Sequence, residues 1–388
     1  MPWRQGAVAI RLDPVATLWC GCLSSNAWDP CDAALDPGPK TKWSVTVPLL
    51  NLLISSESEE ESTTLPDIPV LDVGIDWPFE TLEREFTRIN AMLDEASGRV
   101  PELVMKIADV ASRRWLERSH QPYPGEIDRI AARIARPGAY FLNLSYEWGC
   151  TSWAGPSPDG RSSRLMRVLD WPDRGLGRYI IAARIHCDAG AWLALTWPGY
   201  TGVLQAVSPA RFAAALNQAP MEQPVGVYLL DWLVNRSRVW RQPHLTPAHL
   251  LRQVFEHAHD FAEAKAMLSE TPIALPAIYI LAGLEPDQAC LIERLPDRAH
   301  VIRGPSGAAN AWQAPGWSGR SRGEANAERI ALIRTAEPLL DGEFAWLRPP
   351  ILNRRTRLVF IADASSGSVV AQGYEAELPA TAVLRVTV

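Results

Sequence analysis

Apolar positions recur along this chain in two rhythms. Phe79, Leu82, Phe86, Ile89 and Leu93 stand three or four apart and predict one amphipathic helix. Leu103, Ile107, Val110 and Trp115 predict a second, opened by Pro101. Ile127, Ile130, Ala131 and Ile134 predict a third, stopped by Pro137-Gly138. The short aromatic run Tyr140-Phe141-Leu142 then reads as a buried strand. Beyond it, strands are predicted at residues 179–186 and 191–197, around a turn at Asp188-Ala189-Gly190. Val203-Leu204 leads to a segment ending Leu216-Asn217-Gln218, and two more strands are predicted at 277–283 and 289–294. Between them, residues 225–240, 247–257 and 261–269 read as helices, the last two with Thr246 and Asp260 as N-caps. A helix over 324–340 and a strand from Thr356 close the pattern.

Composition narrows the class. The 388 residues, 47% hydrophobic, suffice for one large domain or two ordinary ones. A net charge of -6 with no concentrated basic stripe gives no reason to expect nucleic acid. Glu57, Glu59, Glu60 and Glu61 sit in a Ser/Thr-rich run that reads as a solvated loop. No window has the apolar length of a membrane span, and Arg4, Arg11 and Asp13 interrupt any leader core, so the expected location is cytoplasmic. Six cysteines in such a chain are no disulfide framework. Cys20, Cys22 and Cys31 cluster without a fourth metal ligand nearby, and Cys187 and Cys290 lie in apolar runs that suit core thiols. His257 and His259, two apart, point to different faces of a helix and do not pair as ligands.

The stretch 140–172 carries the chemistry. Gly149 places a residue without a side chain directly before Cys150. A turn at Pro156-Ser157-Pro158-Asp159-Gly160 and a second strand through Leu165–Leu169 predict a hairpin that brings Arg167 and Asp170 back beside Cys150. A cation next to a thiol favours the thiolate, and a carboxylate next to an amine stabilises its charged form. Read alone, the same pieces also describe a buried cysteine in a hairpin whose Arg and Asp pair with each other.

NLSYE (143–147), Cys150-Thr151-Ser152, Arg167 and Asp170 together resemble the region around the processed cysteine in the acid ceramidase and N-acylethanolamine acid amidase family. These are cysteine N-terminal-nucleophile hydrolases, more distantly related to choloylglycine hydrolases and penicillin V acylase. Downstream, Gly307–Trp312 resembles the family's Thr-Asn-x-Asp-x-Trp segment, with Asn310 at the asparagine. Arg329 stands where relatives place an active-site arginine, with Arg320 and Arg322 competing for that position, and 347–358 resembles the family's closing Pro-Val-Leu-Asn and strand. The family's Arg-Asn-x-Asp reads Arg-Val-Leu-Asp here, and its strand-ending Asn-Glu-Arg reads Asn217-Gln218-Ala219. Gln218 forms hydrogen bonds but takes no proton.

The resemblance runs from about Asp67 to the last residue. It implies an α+β fold, the αββα four-layer sandwich, with a helical N-terminal portion. It implies division into a poorly ordered extension (1–66), an N-terminal subunit (67–149) and a catalytic subunit (150–388), cut between Gly149 and Cys150. It assigns Cys150 as nucleophile, Arg167, Asp170, Asn310 and Arg329 as its catalytic partners, and Asn217 as substrate or oxyanion support. Neither cofactor nor metal is implied. The implied partners are an N-acyl amide lipid, a membrane or micelle surface, and the chain's own two fragments as a heterodimer. For the helical stripes, packing in a core is the first reading and lipid contact the second. Penicillin V- or bile-salt-type amide hydrolysis, acyl transfer, and a noncatalytic lipid-binding relative remain as alternatives.

Overall fold

The computed structural model describes residues 64–97, 102–119, 121–144 and 148–388. The acidic run, Cys20, Cys22, Cys31, Pro101 and residues 145–147 lie outside the described residues, as does nearly all of the expected N-terminal extension. The segment 64–144 supplies strand β1 (Val70–Val73) and helices α1 (Trp77–Arg84), α2 (Phe86–Ser97), α3 (Glu102–Arg118), α4 (Pro124–Ile134) and α5 (Ala139–Asn143). Next come β2 (Gly149–Pro156), β3 (Ser163–Asp170), β4 (Ile181–Cys187), β5 (Gly190–Thr196), β6 (Gln205–Ser208) and β7 (Phe212–Gln218). Three helices follow, α6 (Tyr228–Val239), α7 (Pro247–His257) and α8 (Phe261–Glu270). After them run β8 (Ala277–Ala282), β9 (Ala289–Leu295), β10 (Arg298–Arg303), β11 (Ser306–Ala308) and α9 (Asn326–Arg334). The chain closes with β12 (Thr356–Asp363), β13 (Ser368–Glu375), β14 (Leu378–Pro379) and β15 (Leu384–Thr387).

These strands form two sheets. The first runs β1-β4-β5-β6-β7-β8-β9-β10, antiparallel except where β1 joins β4 in parallel. The second runs β11-β2-β3-β12-β13, with β14 and β15 pairing different ends of β13. β2, β3 and β12 lie across β6–β9, so the sheets pack face to face, while α7 and α8 cover the first sheet and α9 covers the second. This is the four-layer αββα sandwich that the resemblance implies.

The period-two pleat sorts β2 and β3 between two cores. Cys150, Ala154, Leu165 and Leu169 join the large core between the sheets, with Leu358, Phe360 and Ala362 of β12. Trp153, Met166, Val168, Val359 and Ile361 face the opposite way, onto Ile333 of α9, Leu347 and Ile351.

Both expected N-caps are made: Thr246 Oγ1 accepts from the His249 amide and Asp260 Oδ1 from the Glu263 amide. Three predicted elements need correction. Residues 140–142 are helical, because Tyr140 and Leu144, four apart, turn one face onto Trp115, Tyr123 and Ile127. The single helix expected over residues 79–93 is two, broken where Glu85 leaves helical geometry (φ -113°, ψ 33°). The helix expected to reach residue 340 ends at Arg334, where Thr335 leaves helical geometry (φ -99°, ψ 0°). Cys290 is a core thiol as expected, whereas Cys187 is only half buried at the end of β4.

The N-terminal segment is built into the body. β1 extends the first sheet, and fully buried Trp77 packs edge-on against Trp192, 5.8 Å between ring centroids, with the Arg252 guanidinium 5.3 Å from its ring. Arg252, in turn, bonds Glu126 of α4 and Glu256 of α7 at 2.8 and 2.7 Å. Trp77→Ala is expected to cost about 3–5 kcal/mol, read as a lower denaturant midpoint. Leu103→Ala, at a position 66% exposed, shifts that midpoint little.

Candidate active site

Cys150 lies second in β2, opposite Leu169 of β3, and is completely buried. Because residues of one parity share a face, Cys150 and Arg167 both point between the sheets. Arg167 Nη2 stands 3.0 Å from Cys150 Sγ and donates to the Leu216 carbonyl at 2.8 Å. Arg167 Nη1 donates to Gln205 Oε1, and Gln205 in turn donates to the Leu195 carbonyl. The guanidinium is therefore held by β6 and β7 of the opposite sheet.

Thr151 and Asp170 face the other way. Asp170 Oδ2 receives Arg329 Nη2 at 2.6 Å, and Asp170 Oδ1 accepts from Thr356 Oγ1 at 3.0 Å. Arg329 Nε donates to Thr151 Oγ1 at 2.7 Å. Both members of the ion pair are buried. Among the three arginines considered for this position, Arg329 meets Asp170 because α9 presents it there. Arg320 lies over the Tyr228 ring instead, and Arg322 lines a neighbouring cleft. Asp170 sits across the ladder from Gly149, so it stands beside the residue before the thiol rather than on the thiol's own face. A Cβ on Gly149 would meet Asp170 at 3.4 Å and Asn310 Oδ1 at 3.7 Å. That is ordinary contact, so space alone does not require glycine here.

Asn310 reaches the site from the loop after β11. Its Oδ1 accepts from the Cys150 amide at 2.7 Å, and its Nδ2 donates to the Gln218 carbonyl at 2.7 Å. The loop is fixed on both sides: Asn326 Oδ1 accepts from the Asn310 amide, and buried Glu293 accepts from the amides of Gln313 and Ala314. Asn217 donates to Ser152 Oγ at 2.7 Å, and Gln218 Oε1 accepts from the Trp148 amide at 2.8 Å. Gln218 thus works as a hydrogen-bond acceptor here.

The electrostatics differ from the expectation of a thiolate favoured by Arg167. Burial pushes the Cys150 thiol up from its ordinary value and outweighs the nearby guanidinium, which pulls it down. Burial likewise lowers Arg167. The site is dry, and dryness penalises both charges. His249 offers no proton relay: burial, with Arg252 adding to it, pulls its pKa down to about 3. Its Nε2 lies 2.9 Å from Thr201 Oγ1, and Thr201 also donates to Asn143 Oδ1 through its amide and hydroxyl, at 2.7 and 2.9 Å. Asn143 is therefore a structural tie between α5 and the loop before β6.

The hairpin reading brings out Cys150, Arg167 and Asp170, but not Gln205, Thr151 or Thr356. A lone glutamine within the apolar run Val203–Val207 is the signal that could have found Gln205. Beside the site, a cleft runs from Gln218, Pro220 and Met221 past Trp115, Trp232, Val239 and Leu275. Among the described residues, no three His, Cys, Asp or Glu side chains gather as a metal set.

Two outcomes follow from this geometry. Asp170→Asn leaves the Arg329 charge buried without its carboxylate and is expected to cost about 3–5 kcal/mol. Asp170→Asn combined with Arg329→Met should cost less than the sum of the single changes, as a double-mutant cycle by denaturant unfolding will show. The uncut chain should alkylate at Cys150 at least about tenfold more slowly at pH 8 than the same residue in unfolded protein, and faster as pH rises, because burial holds the thiol protonated. Peptide mapping after iodoacetamide treatment reads this rate for Cys150 alone.

No protein-family model matches the chain. The sequence is 31% identical to human acid ceramidase over 101 residues, 26% of this chain and 24% of that protein. It is 30% identical, over the same length, to the acid ceramidase of Heterocephalus glaber. The chain thus matches about a quarter of the length of these ceramidases. Against the N-acylethanolamine-hydrolyzing acid amidase of Rattus norvegicus it is 25% identical over 260 residues, 63% of this chain and 69% of that protein. A solved Caenorhabditis elegans ortholog of that amidase aligns with 56% of this chain and 93% of its own, at 18% identity and a TM-score of 0.43. The conjugated bile acid hydrolase of Clostridium perfringens aligns with 61% of this chain and 92% of its own, at 11% identity and a TM-score of 0.35. By sequence, this chain is similar to acid ceramidases and to the N-acylethanolamine-hydrolyzing acid amidase.

Proposed function

We propose that the protein is an amide hydrolase that matures by cutting itself between Gly149 and Cys150. The observation that carries this reading is the set of contacts on Cys150: Arg167 on its sulfur and Asn310 on its backbone nitrogen, at 3.0 and 2.7 Å. In the first step Cys150 Sγ adds to the Gly149 carbonyl carbon, the bond to the Cys150 nitrogen breaks, and that nitrogen gains the thiol proton. Water then hydrolyses the Gly149 thioester. The freed α-amine has an ordinary pKa of about 8, near enough to neutrality to act as a base for its own thiol. Asn310 Oδ1, already bonded to that nitrogen, orients the amine.

In turnover, the thiolate attacks a substrate amide, the amine product leaves protonated, and water releases the acid from the acyl-enzyme. Arg167 stabilises the sulfur's negative charge. Asn310 Nδ2 and backbone N–H groups are the donors for the oxyanion, with Asn217 and Ser152 as support. Asp170, Thr356, Thr151 and Arg329 position the strand end from the opposite face. The substrate class is an N-acyl lipid amide, of the N-acylethanolamine or ceramide type. The apolar cleft beside Gln218 supports this choice. So do the exposed Val225, Val227, Tyr228, Leu229 and Leu230 around the start of α6, a surface suited to a membrane or micelle. Among the described residues, no helix is long and apolar enough to cross a membrane.

Intact denaturing mass tests the cut. Two fragments meeting at Gly149/Cys150 are expected from wild type, and one full-length chain without hydrolytic activity from Cys150→Ala. Cleavage that persists in Cys150→Ala would sink the reading. Size exclusion of the cut protein should recover both fragments in one peak, since β1 and Trp77 remain packed in the first sheet's core. Release of free fatty acid from a panel of N-acyl amides then separates lipid, penicillin V-type and bile-salt-type substrates.

A further inference from the structure

Arg167 is buried without a carboxylate. Its side chain bonds a side-chain amide, a backbone carbonyl and the thiol: Nη1 donates to Gln205 Oε1, and Nη2 donates to the Leu216 carbonyl at 2.8 Å and lies 3.0 Å from Cys150 Sγ. Among the described residues, Arg167 Nε has no acceptor and no ion pair includes this guanidinium. Buried charges are ordinarily paired with an opposite charge. Of the three acceptors here, the sulfur is the one that can become an anion.

The place facing Nη1 is filled by a glutamine, completely buried and flanked in sequence by Leu204 and Ala206. Gln205 Nε2 donates to the Leu195 carbonyl of β5, so the amide oxygen is left to face Arg167. Burial raises the Cys150 thiol, and Arg167 is the strongest influence against it. The other titratable groups acting on this pair are Tyr200, from the loop before β6, and Asp170 with Arg329 on the far face of β3, where those two already pair with each other.

We infer that Gln205 is a positioning residue for the cysteine's chemistry: it holds the Arg167 guanidinium on the sulfur through a neutral acceptor, so that the cation's charge is left for the thiolate. Its part in turnover rests on the amidase reading above, whereas its action on the sulfur can be read without any hydrolysis. A carboxylate in the same place would bond Nη1 equally well and would compensate the charge. Neutrality, rather than shape, is what this position requires.

The test compares wild type, Gln205→Glu and Gln205→Met. Cys150 is alkylated with iodoacetamide across a range of pH, because alkylation follows the thiolate. Peptide mapping reads cut and uncut chains separately, since the peptide that carries Cys150 differs between them. In Gln205→Glu, which keeps the size of the side chain and adds only a charge, the midpoint should rise by about one pH unit or more, and the rate below it should fall about tenfold or more. Hydrolysis of an N-acyl amide at neutral pH should lose about the same factor in kcat with KM little changed, and the loss should shrink as pH rises. An unchanged midpoint in Gln205→Glu overturns the proposal and leaves the amidase reading in place. A wild type that neither cuts nor hydrolyses defeats the amidase reading, and the thiol midpoint still judges Gln205. Should Gln205→Glu not fold, Gln205→Met decides the matter. Without an acceptor on Nη1, Cys150 should alkylate about threefold or more slowly at neutral pH. A site merely loosened by lost packing would expose the thiol and alkylate faster, so a rate equal to or above that of wild type rejects the proposal.

Discussion

The pairing of β2 with β3, in the register that sets Cys150 opposite Leu169 and Ser152 opposite Arg167, is the constraint on which the site depends. Side chains alternate faces along both strands, so this one register sends Cys150 and Arg167 between the sheets and Thr151 and Asp170 towards α9. A one-residue slip of β2 would turn Cys150 away from Arg167 and towards Met166, Val168 and Ile333. The register is protected on both faces. Between the sheets, Arg167 is bonded to Gln205 and the Leu216 carbonyl. On the far face, Arg329 joins Asp170 to Thr151, binding the two strands to one helix.

Burial sets the charge state of this polar site. Arg167 is among the largest fully buried side chains, and the thiol it touches is pushed towards its neutral form by the same loss of water. A neutral thiol beside an amide nitrogen is a weak nucleophile. On the proposed route, cleavage leaves a carboxylate on Gly149, and the Cys150 nitrogen, now donating as an amide to Asn310, becomes an amine with a lone pair beside the sulfur. Base and nucleophile then share a residue already positioned by Asn310 and Arg167, so little else has to move.

Much of the fold was legible where local chemistry and tertiary packing agree. Thr246 and Asp260 cap helices that the sequence places correctly, and the Pro- and Gly-rich turn after Pro156 fixes the hairpin. Legibility failed where packing partners distant in sequence decide. Tyr140-Phe141-Leu142 has strand-like composition, yet Trp115 and Tyr123 offer a surface that Tyr140 and Leu144 can cover together only from a helix. In the site, the hairpin residues could be read because one turn brings them together. Asn310 and Arg329, more than 150 residues from Cys150 in sequence, had no local pattern and were found only through resemblance. Gln205 had a local oddity, a polar side chain in an apolar run, but its partner Arg167 lies across the sheet interface.

The same long-range packing bears on what a cut at Gly149 would accomplish. The segment before it is not a separable domain. β1 is a strand of the first sheet, Trp77 shares one core with Trp192, and Arg252 of α7 joins Glu126 of α4. Such a core does not come apart when one peptide bond is broken, because the contacts that hold it are non-covalent and lie away from the break. What the break does release is the short stretch ending at Gly149, which is held by the Gln218 hydrogen bond and the stack of Trp148 on Trp171. Cleavage would therefore act as a local change of chemistry and access around one sulfur, inside a body whose architecture is the same before and after.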